Sequence, residues 1–540
     1  MKSYPTLAET FSEERSLIDV LLDEQRRLTA VERFARKHEA HARPAPEKFY
    51  RDLIPLTKPA AGEQYAFEVD LDACTGCKAC VTACHALNGL DDEETWRSVG
   101  TLLGGTPRAP VMHTVTTACH HCVDPGCLNG CPVDAYEKDA ATGIVRHLDD
   151  QCIGCQYCLL MCPYEVPRYS KRLGIVRKCD LCHSRLAVGE APACVQACPN
   201  GAITIRIASR DEIAEHAEVR FALPDAPDAT LTLPATRYVT TQAQPANLKA
   251  GNHYQLAPAQ AHAPLVWMLV LTQLSVGTFL FDLATRLWLP GGSSQWATVL
   301  ALAACCFGLF ASVMHLGRPM QAWRSFLGWR HSWLSREVLA LGAFGGMAAM
   351  LTAASWLHLP RAWVAGLSGT TVAAGLAGVF TSVMVYAGTG REFWELRRTA
   401  TRFFGTTLVL GAAAAHAFNA LTNQPYVAAT ACALAVVSIL KLVSEAALRL
   451  HLRDDGLTSL KRSALLMMGE LGAFHRTRIV FGLLGGVALP LAGVVFGGNT
   501  ALAVLAFALC FVAELCERHL FFTAVAPAKM PGHAAERRRR

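Results

Sequence analysis

Sixteen of the 21 cysteines in this chain fall between Cys74 and Cys198, and their spacing limits the fold more tightly than any other feature. They form four groups. The first is Cys74-x2-Cys77-x2-Cys80-x3-Cys84, and the second is Cys119-x2-Cys122-x4-Cys127-x3-Cys131-Pro132. The third is Cys152-x2-Cys155-x2-Cys158-x3-Cys162-Pro163, and the fourth is Cys179-x2-Cys182-x11-Cys194-x3-Cys198-Pro199. So dense a set is either a disulfide framework or a metal framework. Disulfide scaffolds are usually small and secreted. The opening residues, MKSYPTLAETFSEERSL, carry no apolar h-region, and Arg26-Arg27 is followed by Leu28-Thr29-Ala30-Val31-Glu32-Arg33, so no export signal is expected. A metal framework is the better reading.

The third group reproduces the bacterial ferredoxin run C-x2-C-x2-C-x3-C-P, and the other three resemble it with variations. Two-residue spacers let one tight loop present three thiolates to three corners of a cubane cluster. The fourth cysteine opens the next helical segment, points away and ligates the other cluster of a pair. The proline behind it ends the loop and sets the chain direction. Four-cysteine zinc sites use two C-x2-C pairs and need neither the third cysteine nor the trailing C-P. The spacing therefore favours four 4Fe-4S clusters.

The ligand exchange expected of ferredoxin folds pairs the outer groups with each other and the inner groups with each other. The expected outer sets are Cys74, Cys77, Cys80 with Cys198, and Cys179, Cys182, Cys194 with Cys84. The expected inner sets are Cys119, Cys122, Cys127 with Cys162, and Cys152, Cys155, Cys158 with Cys131. His85, His120, His121 and His183 sit beside these cysteines and read as hydrogen-bonding or surface residues rather than ligands. Cys305, Cys306, Cys432, Cys510 and Cys516 lie in apolar stretches and read as small packing residues.

Composition then divides the chain. It is 52% hydrophobic and only 17% charged, too apolar for a soluble protein of 540 residues. Residues 1–66 form a helical and extended segment, with Leu17, Val20, Leu21, Leu28 and Val31 at helical spacing on one amphipathic helix. Residues 67–207 are the four-cluster domain, expected to be an α+β double ferredoxin-like fold. Residues 208–263, rich in Pro and Ala, read as an extended tether. Residues 264–526 hold apolar stretches at 264–287, 295–315, 336–357, 366–388, 403–421, 426–448, 478–497 and 499–523. Each is near the ~20 residues a helix needs to cross the hydrocarbon core, so an all-α bundle of eight transmembrane helices is expected. Frequent Gly and Ala suit close helix packing in lipid. Residues 527–540 are a basic tail.

The two halves together resemble a known arrangement. The cysteine domain is similar to the iron–sulfur subunit of dimethyl sulfoxide reductase and related complex iron–sulfur molybdoenzymes. The membrane half resembles their quinol-oxidising anchor subunit. The matching residues are His315-Leu-Gly-Arg-Pro, Ala322-Trp-Arg-Ser-Phe-Leu-Gly, Ser332-Trp-Leu-Ser-Arg-Glu337, Glu517-Arg-His-Leu-Phe-Phe-Thr523, Pro527 and Lys529-Met-Pro-Gly532. The resemblance covers 67–210 and 264–532, and it implies a fusion of two usually separate subunits. It also implies a quinol site, for menaquinone or ubiquinone, with its histidine and glutamate at His315 and Glu337. Both lie at span ends on one side, beside Arg318 and Arg336, where ionisable residues are functional candidates. Alternatively, both residues anchor span ends at the interface. His416 is alone in its span, so no haem is expected.

With eight spans, the cysteine domain shares one side with the C-terminus and with the second, fourth and sixth connections. That side carries Arg318, Arg324, Arg330, Arg336, Arg391, Arg397, Arg398, Arg402, Arg449, Arg453, Lys461, Arg462, Arg476, Arg478, Arg518, Lys529 and Arg537 to Arg540, against Arg286 and Arg361 opposite. The positive-inside rule places the clusters on the cytoplasmic face of a bacterial plasma membrane. Resemblance to dimethyl sulfoxide reductase itself points instead to the periplasmic face. Nothing reads as a pterin domain or a nucleic-acid site, so the expected role is a non-catalytic electron-transfer and anchor subunit. It would link quinone to a separate molybdopterin-containing subunit. The alternative is a module coupling electron transfer to proton translocation, which needs mid-span ionisable residues. Lys441, Glu445 and Glu514 are the only hints of these, and Glu445 and Glu514 read as lying near span ends.

Overall fold

The computed structural model describes residues 50–288, 295–357, 359–496 and 500–532, together with the helix Leu17–Arg26 and scattered positions near it. Leu28 and Val31 of the expected N-terminal helix, and Arg537 to Arg540, lie outside the described residues. In Leu17–Arg26, the side chains of Leu17, Ile18, Leu21 and Leu22 are exposed.

The cysteine-rich domain closes on itself. Strand β1 (Glu63–Asp70) runs into the first cysteine group. A long hairpin, β2 (Ser98–Thr106) and β3 (Ala109–Thr117), separates the first group from the second. Each inner group is followed by a small hairpin, β4 (Tyr136–Lys138) with β5 (Val145–His147) and β6 (Arg168–Ser170) with β7 (Ile175–Arg177). Strand β8 (Ile203–Ser209) then returns antiparallel to β1, in register from Glu63 opposite Ser209 to Val69 opposite Ile203. Phe67, Val69, Ile203 and Ile205 are buried, which fixes the pairing by apolar burial. Cys74 follows β1 and Cys198 precedes β8, so this one pairing brings the first and last groups together.

Residues 208–263, expected as a tether, instead build onto the domain. Strand β9 (Arg237–Val239) joins β1 in parallel, and β10 (Lys249–Ala250) joins β2. Phe221, Ala235 and Tyr238 are buried. These few apolar anchors, spread among prolines, are enough to dock a segment that lacks any periodic pattern.

Among the described residues, eight helices are long and apolar enough to cross a membrane. We number them α1 (Ala263–Leu287), α2 (Gln295–Met314), α3 (Trp333–Trp356), α4 (Arg361–Ala387), α5 (Leu396–Leu421), α6 (Val427–Arg453), α7 (Gly472–Val495) and α8 (Thr500–Thr523). Packing is close where glycines meet: a Cβ on Gly277 of α1 would lie 2.0 Å from the Thr407 carbonyl of α5. The outward surface is large and apolar, including Phe307, Phe310, Trp363 and Leu440, as lipid requires. The chain is therefore a multi-pass membrane protein. Arg402, Arg478 and Arg518, counted above as charges of one membrane face, are buried within α5, α7 and α8. They pair there with acidic side chains, so they say less about orientation than exposed loop arginines do.

Candidate functional site

The first and third cysteine loops share one conformation. Gly76 and Lys78 have φ of +72° and +61°, and Gly154 and Gln156 repeat this at +69° and +60°. The left-handed turn at the glycine lets Cys-x-Gly-Cys fold its two thiols toward the same hollow. Cys74, Cys77, Cys80 and Cys198 line one hollow. Cys119, Cys122, Cys127 and Cys162 line another. Elsewhere Cys84 sits among Cys194 and Cys182, with Cys179 against all three. Cys131 faces Cys152, and both act on Cys155 and Cys158. In each group, three thiols thus lie near one thiol of another group.

The donors fit iron–sulfur clusters. Among the described residues no group of three or more His, Cys, Asp and Glu side chains is arranged around a single metal ion, as a mononuclear zinc site would demand. Burial first, then Cys194, pushes the Cys84 thiol up to about 12. Burial likewise pushes Cys131, Cys162 and Cys182 up to about 11. Thiols held so high stay protonated unless a metal cation replaces the proton. The four neighbouring histidines are engaged elsewhere. His85 Nε2 lies 3.2 Å from the Asp91 carbonyl, and His120 Nδ1 lies 2.9 Å from Thr236 Oγ1. His121 Nδ1 accepts from the Val145 amide, and His183 Nδ1 meets Asp180.

The sets stand in an order. Arg97, 2% exposed, lies between the two outer sets. Burial opposes its charge, but Cys194, Cys80, Cys179 and Cys84 outweigh burial and hold it ionised. Its guanidinium donates to Thr116 Oγ1 at 3.1 Å, and that oxygen is 3.6 Å from Cys80 Sγ. Lys178, 3% exposed, donates to Cys119 Sγ at 3.5 Å and to the Cys179 carbonyl at 2.9 Å, bridging an outer to an inner set. Tyr136 stands between the two inner sets, beside Cys158, Cys127 and Cys131. The sequence from one end to the other is the Cys74, Cys179, Cys119 and Cys152 sets.

The Cys152 set rests on the membrane bundle. Gly317 meets Gly174 backbone to backbone, so closely that a Cβ there would lie 2.1 Å from the Gly174 carbonyl oxygen. Arg318 donates from its amide to Ile153 O at 3.0 Å and from its guanidinium to Asp149 O at 2.9 Å. Past α2, the Gly328 amide donates to Pro132 O at 2.9 Å and Ser332 Oγ donates to Gly130 O at 2.7 Å. At the C-terminal end Lys529 pairs with Glu165 at 3.2 Å, and Gly532 packs on Gly100. The anchor motifs read from the sequence are thus the grips that hold the cysteine loops.

Glu337, 3% exposed, accepts a hydrogen bond from Ser382. Tyr157, inside the third cysteine group, donates its hydroxyl to Val385 O of α4 at 2.8 Å. Burial first, then the charges of Glu337 and Cys155, hold that phenol well above its usual range. His315 packs against His262 with ring centroids 5.3 Å apart. Burial pushes both imidazoles down to about 4, with His315 adding to the drop at His262, so both are neutral at pH 7. His315 and Glu337 are not joined to each other by a hydrogen bond or ion pair. Arg318 and Arg336 are committed to main-chain carbonyls, Arg336 to Trp329 O and Arg330 O at 3.1 and 2.6 Å. They position loops and face neither candidate.

Comparison with known proteins agrees with this geometry. Residues 111–207 match the 4Fe-4S dicluster domain, and residues 259–524 match the DMSO reductase anchor subunit. The anaerobic dimethyl sulfoxide reductase B subunit of Haemophilus influenzae is 35% identical over 181 residues, which are 32% of this chain and 87% of that protein. This chain belongs to the dimethyl sulfoxide reductase electron-transfer family. The probable anaerobic dimethyl sulfoxide reductase protein YnfG of Escherichia coli is 40% identical over 144 residues, 25% of this chain and 70% of that one. The nitrate-inducible formate dehydrogenase iron–sulfur subunit of Escherichia coli is 37% identical over 188 residues, 31% of this chain and 63% of the relative. The chain is accordingly an iron–sulfur electron-transfer subunit carrying its own DMSO reductase anchor domain, and a fused pair of this kind implies a catalytic partner subunit.

Sequence reasoning missed His262 and Tyr157. Tyr157 hides among ligand spacers, which read as filler. His262 stands two residues ahead of Pro264 at the mouth of α1, where the Pro/Ala-rich composition made it look like linker.

Proposed function

We propose that this chain exchanges electrons between a membrane quinol and a separate molybdopterin-containing catalytic subunit. Four 4Fe-4S clusters, held by the four cysteine sets, supply one-electron carriage between the two ends. The quinol, menaquinol or ubiquinol, binds where Glu337, Tyr157 and His315 border the Cys152 set. The observation that carries this reading is Tyr157, a residue of a cluster loop buried in the bundle beside Glu337. This supports a reading in which proton acceptance at Glu337 lies close to electron acceptance at the Cys152 set. Oxidising the quinol releases two electrons and two protons, and a buried carboxylate with neutral imidazoles nearby can take the protons. The cluster domain faces the cytoplasm, supported by Arg324, Arg330, Arg336, Arg397, Arg398 and Arg453 on that side.

The test is anaerobic purification of the full chain. About sixteen irons per chain are expected from four clusters. Serine at one cysteine should remove or convert one EPR signal and leave three. Added quinol should reduce the clusters in the parent and far more slowly in Glu337→Gln, while dithionite reduces both. Far fewer irons, or quinol that reduces nothing, would overturn the reading.

A further inference from the structure

The membrane half encloses an ion network that electron transfer alone does not require. Lys441 of α6 pairs with Glu514 of α8 and lies 3.7 Å from Glu445. Arg478 of α7 pairs with Glu445 at 2.9 Å and with Glu514 at 3.1 Å. Thr406 of α5 donates to Glu514 at 2.7 Å and accepts from Lys441 at 2.6 Å and from Arg518 at 3.0 Å. Arg518 also donates to Gln273 of α1 at 3.0 Å and lies 3.4 Å from Glu517, which faces Arg402 at 3.8 Å. Glu514 and Arg518 are 0% exposed, and Arg402, Lys441, Arg478 and Glu517 are also buried. Charge at such depth is costly, and ion pairs there are weak evidence of a stabilising role.

Two features point to a route. The first is incomplete pairing. Both carboxylate oxygens of Glu517, Nε and Nη1 of Arg518 and Nε2 of Gln273 are buried without hydrogen-bond partners. Clustered buried polar atoms of this kind hold water. The second is where the network runs. At 1.5 Å per residue, Glu514, Thr406 and Gln273 lie roughly 14–15 Å from the cluster-side ends of their helices, near mid-bilayer. From Glu514 the contacts step to Glu445 and Arg478. His475, one turn nearer the start of α7 than Arg478, hydrogen-bonds Arg449 at 2.9 Å, and Arg449 is exposed. At the inner end, Arg518 lies over the rings of Phe403 and Phe521, which pack on Tyr386. Tyr386 in turn lies one turn along α4 from Ser382, the donor to Glu337.

We propose that this network is a hydrated proton route from the quinol site to the membrane face that carries the clusters. The inference rests on the quinol reading above. As a quinol becomes a quinone, two electrons leave toward the Cys152 set and two protons leave by way of Glu337, Glu517, Glu514 and Glu445 to His475, which passes them to water at the surface beside Arg449. The route ends on the side where it begins, so it discharges protons without carrying them across the bilayer.

The test uses the full chain, anaerobic and cluster-loaded, with a soluble short-chain ubiquinol as reductant and EPR as the readout. Glu517→Gln should keep the parent's dithionite-reduced spectrum and the parent's quinone binding. Quinol-driven cluster reduction should slow by about tenfold or more, with a larger solvent deuterium effect, and Glu517→Asp should restore it. Glu445→Gln, nearer the surface, should slow the reaction in the same way and decides the matter if Glu517→Gln loses its clusters. Parent-like quinol rates and isotope effects in spectrally intact variants would overturn the route. If quinol fails to reduce even the parent while dithionite succeeds, the quinol reading falls first, and the route with it.

Discussion

The two ends of the cysteine domain are built to different standards. At the Cys152 end, backbone meets backbone: Gly174 against Gly317, Pro132 against Gly328, and Tyr157 sunk among the membrane helices. At the Cys74 end Cys77 is exposed. One end is fused to its neighbour with no room for adjustment. The other presents a thiol set at the surface. In the proposed function this is the difference between a permanent junction with the membrane and a face left free for a separate catalytic subunit.

Breaking the tight junction should give the largest effect. Gly317→Val places side-chain atoms where the Gly174 carbonyl stands, so the domains must part. Misplacement of an ångström or more should cost about a hundredfold in quinol-driven cluster reduction, with iron content and dithionite-reduced EPR unchanged. Glu337→Gln leaves the junction intact and removes the proposed proton acceptor. A loss of about ten- to hundredfold in the same assay is expected, because the electrons cannot leave ahead of the protons.

A smaller effect sharpens the comparison between the ends. Arg97 and Lys178 each place a positive charge between neighbouring sets, which favours the electron-rich state of the clusters beside them. Lys178→Met should lower the midpoint potentials of the Cys179 and Cys119 clusters, and Arg97→Met those of the Cys74 and Cys179 clusters. In an EPR-monitored redox titration the Cys152 cluster should stay where it is in both. The smallest expected effect concerns His262. Its pKa is pushed from the ordinary 6.5 down to about 4 by burial. Between those values the unfolded chain binds the proton and the folded chain does not, so stability falls as pH drops through that window. His262→Phe should flatten that part of the decline in melting temperature between pH 7 and 5.

The two halves also differ in how far the sequence discloses them. The cysteine sets were legible because cluster ligation is local, and a loop with C-x2-C-x2-C spacing can do little else. The spans were legible because lipid demands long apolar runs. What was not legible depends on contacts between distant segments. The strand that β9 adds to β1 comes from three residues in a Pro/Ala-rich stretch, with no period to betray it. Arg402, Arg478 and Arg518 looked like charges at span boundaries, because only the helix packing shows that Glu517, Glu445 and Glu514 surround them. Arg318 and Arg336 looked like quinol-site partners by proximity in sequence, yet their donors are spent on loop carbonyls.

The claim underneath all of this is that electrons enter at the junction and not at the open end. Two single substitutions decide it: Cys158→Ser at the junction and Cys77→Ser at the far end, each prepared anaerobically without a catalytic partner. On adding quinol, the account predicts that the three remaining clusters of Cys77→Ser are reduced at the parent's rate, while those of Cys158→Ser are reduced far more slowly. Equal rates in the two variants, or the reverse order, would contradict it.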